Sequence, residues 1–504
     1  MHQLSFVSKG QIPEISPLLK SVAEVLPKAD PVYLVGGAVR DMLLQHQTHD
    51  LDFVVQGDAL KVARDTADAL HGAYYNMNDE HPTGRVIITG VDGVRHVMDF
   101  ASMRGASLEE DLRGRDFTIN AMATSISQPL ELIDPFRGAT DLANKRLRAC
   151  SPNSIVDDPV RILRGVRLAI SLSLNILPET RNLMQQAKAG LVGVSAERLR
   201  DALFRILDSP KSSSSLRMLD IMGTLPYLLP ELTALKDVQQ PPPHVYDVWE
   251  HTLHAVDKLD LLLFNLAEDY DYKEGGDLTL GLINLRLGRY RQRFIEHFKK
   301  SLNPDRGIRS LLSFAALYHD AGKFQTQILG ENGQIRTDEY EKLAEDMVSE
   351  RAKALRLSKV ETERIACVVR NHMRPHHMRE TGKEPTRRSV YRYYRDTEEA
   401  GVDIGLLSLA DLLATYSTTL TQDLLVSHLD TLRILYQSWW EERAERVLPV
   451  ELLNGRDLIN TLKIKQGPEV GRLLEAIREA QATGDVHTRD EALVYAKEWL
   501  RENT

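Results

Sequence analysis

Disulfide-forming potential is what this chain lacks first: 504 residues contain two cysteines, Cys150 and Cys367, far apart and outside any CxxC pair. That excludes a disulfide framework and fits a reduced compartment. Aromatic residues make up only 6%, while Leu, Ala, Arg and Glu fill the second half, so helix should dominate there. The opening MHQLSFVSKGQIPEIS has no apolar signal core. No stretch is expected to reach the roughly 18 apolar residues of a membrane span. The expectation is a cytoplasmic protein with no membrane partner. Basic residues are also in deficit, 63 Lys+Arg against 72 Asp+Glu, for a net charge of −9. Overall charge therefore announces no nucleic-acid binding, and any such surface must come from local basic clusters.

The length implies two to four domains. Residues 1–150 read as mixed α/β: short β-branched runs (Val32–Val35, Leu51–Val55, Arg85–Thr89, Val94–Phe100) alternate with a helical pattern at Ala59–Leu70. From about Asp157 the texture becomes amphipathic helix, in DDPVRILRGVRLAISLSL and SAERLRDALFRILDSP. Ser195 marks a helix start in the second of these, and SPKSSSS reads as a loop or another helix start. The proline-bearing LPELTALKDVQQPPPHVYD sets a boundary near residue 240, an acidic patch follows at Glu268–Asp277, and RVLPVELLNGRDLIN leads into a short C-terminal helical segment.

Within LVGGAVRDMLLQHQTHDLDFVV, Asp50 and Asp52 alternate on a predicted strand, so they share one face while Leu51 and Phe53 sink into the other. Two carboxylates placed this way hold hard divalent cations, which phosphoryl or nucleotidyl transfer uses to stabilise attacking and leaving oxygens. Asp99, ending the run RHVMD, offers a third carboxylate. Gly36 and Gly37 link a strand to a helix carrying Arg40 and Asp41, a turn whose backbone N–H groups can approach a phosphate. Separately, each motif also fits a bland role as a tight turn or a solvated strand face. Their combination in one strand-helix-strand unit favours chemistry.

GGAVRDMLL…HDLDFVV resembles the head of the bacterial-type tRNA nucleotidyltransferase and poly(A) polymerase family. DLRGRDFTINAMA is similar to that family's Arg-Arg-Asp-Phe-Thr-x-Asn-Ala element, IDPFRGATDLANKRLRA to its linking segment, and VDDPVRILRGVRLA to its Glu-Asp-x-x-Arg helix. These motifs run in family order from Leu34 to about Ala169. The resemblance implies an α+β fold: a nucleotidyltransferase head with a small mixed sheet, then all-α neck, HD and C-terminal parts. On that basis the divisions are 1–150 (head), 151–240 (nucleotide-reading neck), 241–445 (HD-type metal domain) and 446–504 (C-terminal helical segment).

The resemblance also implies roles. Asp50 and Asp52 would bind two Mg2+ ions, with Asp99 as a third catalytic member. Gly36, Gly37, Arg40 and Asp41 would meet the incoming triphosphate, and Arg115, Asp116 and Asn120 its ribose and phosphates. Asp158 and Arg161 would read the base, since a carboxylate and a guanidinium mimic a Watson–Crick edge that favours C and A. Arg164 and Arg167, at three-residue steps on the same helix, suit phosphate contacts. The sequence departs from the family at Gly114, where an arginine is expected, and at Asp157, which replaces a glutamate.

A second constellation follows the proline-rich connector: His251, then His319-Asp320 with Lys323 close behind, and Asp411. Histidines and carboxylates on separate helices are standard ligands for divalent metals, though a single such histidine is more often a core residue. Their order resembles the His-Asp (HD) metal-dependent phosphohydrolase superfamily, which implies a divalent metal at His251, His319, Asp320 and Asp411 and a phosphohydrolase or phosphodiesterase side activity. His372, His376 and His377 are candidates for a second metal. Arg286–Lys300 and Thr386–Arg395 are basic runs interleaved with aromatics, suited to RNA contact or else simply solvated helix faces.

These readings converge on an enzyme that adds C, C and A to a tRNA 3′ end from CTP and ATP. Alternatives are a poly(A) polymerase, an enzyme adding A alone or CC alone, and a non-catalytic RNA-binding protein.

Overall fold

A computed structural model describes residues 17–26, 31–46, 48–78, 81–90, 94–126, 131–267, 278–303, 306–329, 335–337 and 339–503. The opening residues and the acidic patch at 268–277 lie outside the described residues. The chain divides into two compact units, residues 1–194 with 221–227, and 195–220 with 228–504.

The first unit is built on a seven-stranded mixed sheet of β1 (Val32–Val35), β2 (Asp50–Val55), β3 (Ala73–Asn78), β4 (Thr83–Thr89), β5 (Arg95–Ser102), β6 (Ala123–Ser125) and β7 (Leu132–Ile133). Its order is β3-β4-β5-β2-β1-β6-β7. Only β2 and β5 pair in parallel; the other neighbours are antiparallel. Strands β1, β2, β4 and β5 match the β-branched runs to within a few residues, while β3, β6 and β7 carry no such run. In β2, Leu51 and Phe53 are buried and Asp50 and Asp52 exposed, as alternation requires. Phe53 stacks on Phe100 of β5 at 4.6 Å between centroids. The helix Ala59–Ala69 covers the sheet so closely that a Cβ on Gly84 would lie 2.4 Å from the Ala63 Cβ.

Helix Arg161–Ser171 buries Ile162, Leu163, Val166, Leu168 and Ala169 on one stripe. Gly165 lets it approach the preceding motif, because a Cβ there would fall 2.6 Å from the Phe117 ring and 2.3 Å from Met184.

The second unit is almost wholly helical. Helices Val248–Ala267, Ile308–Tyr318, Lys359–Asn371 and Ala400–Tyr416 pack together around its centre. Short two-stranded ladders interrupt the helices at Ser301–Asn303 with Arg306–Gly307 and at Gln327–Leu329 with Ile335–Thr337, so this part is not strictly all-α. Ser358 and Glu361 form a capping box at the start of Lys359–Asn371. Ser195 precedes helix Ala196–Leu207 without a side-chain cap. The serine run opens the helix Ser212–Ile221, where the Ser212 N–H and hydroxyl both donate to the buried Asp260 at 2.9 and 2.8 Å. Burial pushes the Asp260 pKa up to about 6 despite these bonds.

The stretch Ala400–Thr419 is long and apolar enough to cross a membrane by length and composition, but 89% of it is buried inside the protein. It is apolar all round because helices surround it, as in the core of a large helical domain.

Candidate active site

The Gly-Gly turn and the aspartate strand meet because β1 and β2 are antiparallel neighbours with Val35 opposite Asp52. Gly36 has φ +75° and ψ −136°, a conformation reserved for glycine. A Cβ there would also lie 3.0 Å from Arg115 Nη1 and 3.5 Å from Asp52 Oδ2. The chain then enters the seven-residue helix Gly37–Leu43, which carries Arg40 and Asp41.

Register sets the carboxylates. Asp52 pairs with Asp99 across β2 and β5, and Asp99 with Arg85 across β5 and β4, so the three lie in one row across the sheet. Arg85 donates to both oxygens of Asp99 at 2.8 Å, a bidentate pair. Asp50 and Asp52 share the same face, and among the described residues no hydrogen bond or ion pair engages either carboxylate. Desolvation in the crowded cleft raises the Asp52 pKa although its side chain stays accessible. Arg115 and Arg164 oppose the rise, and Asp99 and Asp50 add to it.

Around this pair the remaining acidic groups are matched. Arg115 reaches Asp111 at 3.2 Å, Arg164 reaches Asp116 at 2.9 Å, and Arg161 stands 3.5 Å from Asp158 while also donating to the Ser154 carbonyl at 2.9 Å. Arg40 grips Asp41 with Nε at 2.8 Å and Nη2 at 3.0 Å. Asn120 accepts from Arg40 Nη1 at 2.6 Å and donates to Asp116 Oδ1 at 3.1 Å. One polar chain thus runs from Asp41 through Arg40, Asn120 and Asp116 to Arg164, joining the Gly-Gly helix to helix Arg161–Ser171.

The cleft so formed encloses about 290 Å3 and is lined by Asp52, Asp99, Arg115, Asn120, Arg161 and Arg164 among others. Gly36, Gly37, Arg40, Asp41, Asp50, Asp158 and Arg167 do not line it. Sequence reasoning missed Arg85, Arg104 and Asp111. Arg104 and Asp111 line the cleft, and Asp111 accepts from the Arg104 N–H at 3.1 Å as well as from Arg115. Gly114 ends the helix Leu108–Arg113, and a Cβ there meets only backbone at 3.5 Å or more, so the missing side chain leaves no packing defect. The carboxylate chemistry at Asp50 and Asp52 fits a hard divalent cation: anionic oxygens on one strand face, with no hydrogen bond or ion pair to either among the described residues.

In the second unit His251, His319, Asp320 and Asp411 converge from three helical segments, all buried. His251 Nε2 lies 3.0 Å from Asp411, 3.4 Å from Asp320 and 3.3 Å from His319 Nε2. His319 and His372 each face a backbone carbonyl with Nδ1, at 2.7 Å (Ala316) and 2.8 Å (Val369). These contacts fix the tautomer and aim Nε2 inward, as in metal-binding histidines. The donor set fits a divalent metal, and the ligand atoms of His251, His319 and Asp411 lie within 4.8 Å of one another. His244 forms a similar group with His251 and Asp320, which sequence reasoning missed. His376 Nε2 reaches Asp411 at 3.0 Å, and Lys323 reaches Asp320 at 2.6 Å. Burial opposes ionisation of Asp320, but Lys323, His319 and His251 hold its pKa well below the usual range. Burial, with His319 adding to it, pushes His372 down to about 4.

The two basic runs do not form aromatic-lined RNA faces. Tyr290, Phe294, Tyr391, Tyr393 and Tyr394 are buried. Arg289 pairs with Glu441, Lys300 with Glu399, Arg388 and Arg392 with Glu479, and Arg395 with Asp396 and Glu475.

Comparison with known proteins places this geometry. Residues 32–148 match the family described as "Poly A polymerase head domain", and 173–236 match "Probable RNA and SrmB- binding site of polymerase A". Residues 342–496 match a model of tRNA nucleotidyltransferase domain 2. The fold is therefore an N-terminal nucleotidyltransferase head followed by a mostly helical body. Relatives include an A-adding tRNA nucleotidyltransferase of Deinococcus radiodurans, 29% identical over 93% of this chain and 95% of that protein. A CC-adding tRNA nucleotidyltransferase of Thermus thermophilus is 29% identical over 92% and 93%. Among solved structures, a CCA-adding enzyme complexed with ATP has the same fold, with a TM-score of 0.58, 22% identity, and 99% of this chain and 98% of that one covered. A Thermotoga maritima CCA-adding enzyme complexed with tRNA gives 0.53 at 22% identity, with 98% of each covered. Together these likenesses are to the poly A polymerase head in residues 32–148 and, over most of the chain, to tRNA nucleotidyltransferases.

Proposed function

We propose that the chain is a template-independent nucleotidyltransferase that extends tRNA 3′ ends with C, C and A from CTP and ATP. One observation carries the reading: among the described residues, Asp41, Asp99, Asp111, Asp116 and Asp158 of the head site each meet an arginine, while Asp50 and Asp52 pair with none. Nucleotidyltransferases of this family use divalent metals, and these two carboxylates would hold Mg2+. When bound, the cation neutralises charge developing on the α-phosphate and the departing pyrophosphate. The tRNA 3′-hydroxyl attacks that phosphorus, the bond to the bridging oxygen breaks, and pyrophosphate leaves.

The protein's own groups position the reactants. The Gly36-Gly37 backbone and Arg40, held by Asp41 and Asn120, flank the triphosphate; Arg115 and Arg164 face its phosphates. Asp158 accepts from the exocyclic amine shared by C and A, and Arg161 donates to the ring acceptor beside it. U and G present the opposite pattern. The division into head, neck, metal domain and C-terminal segment at residues 150, 240 and 445 is part of this proposal.

The A-adding and CC-adding relatives that match over nearly their whole length favour a second reading, in which only A or only CC is added. Supplying a tRNA that lacks CCA with CTP, ATP or both separates the two: a three-nucleotide stop needs both nucleotides, whereas a partial enzyme stops after CC or extends only tRNA already ending in CC.

For the helical body we propose a divalent metal at His251, His319, Asp320 and Asp411 and a phosphohydrolase side activity. Support comes from the four buried groups converging, with Nδ1 of His319 held by the Ala316 carbonyl behind it.

A further inference from the structure

Strand register carries the row of Asp52 and Asp99 outward to the edge of the sheet. Asp52 stands opposite Asp99, Asp99 opposite Arg85, and Arg85 opposite Tyr75 on the edge strand β3. Opposite residues on paired strands share a face, so Tyr75 lies on the same side of the sheet as the carboxylates. At ~4.8 Å per strand, Tyr75 is about 14 Å from Asp52 along this row. Helix Ala59–Ala69 covers the other face, packing over Gly84. The carboxylate face stays open at this end: Tyr75 is 50% exposed, and Thr83, Arg85 and Ile87 are half-buried. Among the described residues no hydrogen bond, ring or cation engages Tyr75. Arg104 lines the cleft together with Asp52, Thr83 and Asp99. Its side chain is exposed and, among the described residues, meets no acid.

We propose that the open face of β3, β4 and β5 is a platform for the single-stranded 3′ end of the acceptor RNA, with Tyr75 stacking on one of its bases and Arg104 meeting its phosphates. Continuity with the head site selects this occupant. The attacking hydroxyl must reach the Asp50–Asp52 end of the face. At ~3.4 Å per stacked nucleotide, and more when unstacked, at most about four nucleotides separate that hydroxyl from the ring. The ring therefore meets the strand that ends in the hydroxyl rather than the body of the folded RNA. Every base has a π face, so a tyrosine holds successive bases without reading their sequence. That suits an end whose last bases change with each addition. The inference rests on the transferase reading of the head.

The test is binding of the full chain to a tRNA ending in CC, intact or with an abasic residue at each of its last four positions in turn. Tyr75→Ala is expected to weaken binding of the intact RNA on the order of tenfold, the loss of one base stack, and Tyr75→Trp to preserve it. At one abasic position the unmodified chain should show the same loss. There Tyr75→Ala should add no more than about twofold, closing a double-mutant cycle. Arg104→Gln should weaken binding of all these RNAs alike and lower the slope against salt by about one. No effect of Tyr75→Ala on the intact RNA, or the same effect on every abasic RNA, would overturn the proposal. An unchanged salt slope in Arg104→Gln would remove that arginine from the platform. Should Tyr75→Ala fail to fold, Tyr75→Thr keeps a strand-forming residue at the edge and serves in the same cycle. If the unmodified chain incorporates no nucleotide on any tRNA end, the transferase reading falls and this inference with it. Normal incorporation with Tyr75→Ala binding like the parent overturns this inference alone.

Discussion

Asn120 holds Arg40 and Asp116 with the two ends of one amide, accepting from Arg40 Nη1 at 2.6 Å and donating to Asp116 Oδ1 at 3.1 Å. Since Asp116 in turn pairs with Arg164, one buried side chain couples the Gly37–Leu43 helix to helix Arg161–Ser171.

Asn120→Ala should therefore do more than remove a contact. It takes one hydrogen bond from the buried Asp116, which keeps Arg164 and the Phe117 N–H, and loosens Arg40, costing about 1–3 kcal/mol of stability in a urea titration. Nucleotide incorporation should fall on the order of a hundredfold, because small displacements of positioning groups are costly in rate. Full incorporation with normal stability would show that the chain of contacts is idle.

Asp52 gives a pH signature. Its pKa is raised in the folded protein, by desolvation first and by Asp99 and Asp50 as well. A carboxyl with a raised folded-state pKa contributes stability below its unfolded pKa, and that contribution is lost as pH rises through the folded value. At neutral pH the ionised group is a liability, so Asp52→Asn should raise the melting temperature at pH 7.5. The gain should shrink as pH falls towards the ordinary carboxylate range. An equal gain at every pH would contradict the raised pKa.

Gly36→Ala forces a side chain onto a backbone with φ +75° and ψ −136°. The strain is about 1–3 kcal/mol, and the added methyl stands 3.0 Å from Arg115 Nη1. Thermal unfolding should register the loss, and incorporation should drop as Arg115 shifts. A variant as stable and as active as the parent would remove the glycine from the account.

Asp320 tests whether the two chemistries separate. Asp320→Asn should lower the divalent metal content of the helical body, measured by elemental analysis, and abolish hydrolysis of a 2′,3′-cyclic phosphate. It should leave nucleotide incorporation intact. Loss of incorporation as well would mean the body's metal cluster supports the head.

Much of the head was legible because its signals are local. The pleat alternates every residue, so Asp50 and Asp52 had to share a face once β2 was recognised. Arg85 was not legible, because its role exists only through the β4–β5 register that sets it opposite Asp99. The basic runs misled for the same reason. Their partners, Glu441 and Glu479, lie scores of residues away, and the aromatics that suggested stacking fill the core. The histidine–aspartate set was legible as residue types in order. His244 escaped notice because the connector carrying it has no helical period to mark a facing side.

The most direct test is extension of a tRNA that ends at the residue before CCA, with CTP, ATP and Mg2+, by the parent and by Asp52→Asn. The account predicts addition by the parent that stops at CCA, and none by the variant while it still retards the tRNA in a gel. Undiminished extension by Asp52→Asn, or no extension by the parent with any nucleotide, would contradict it.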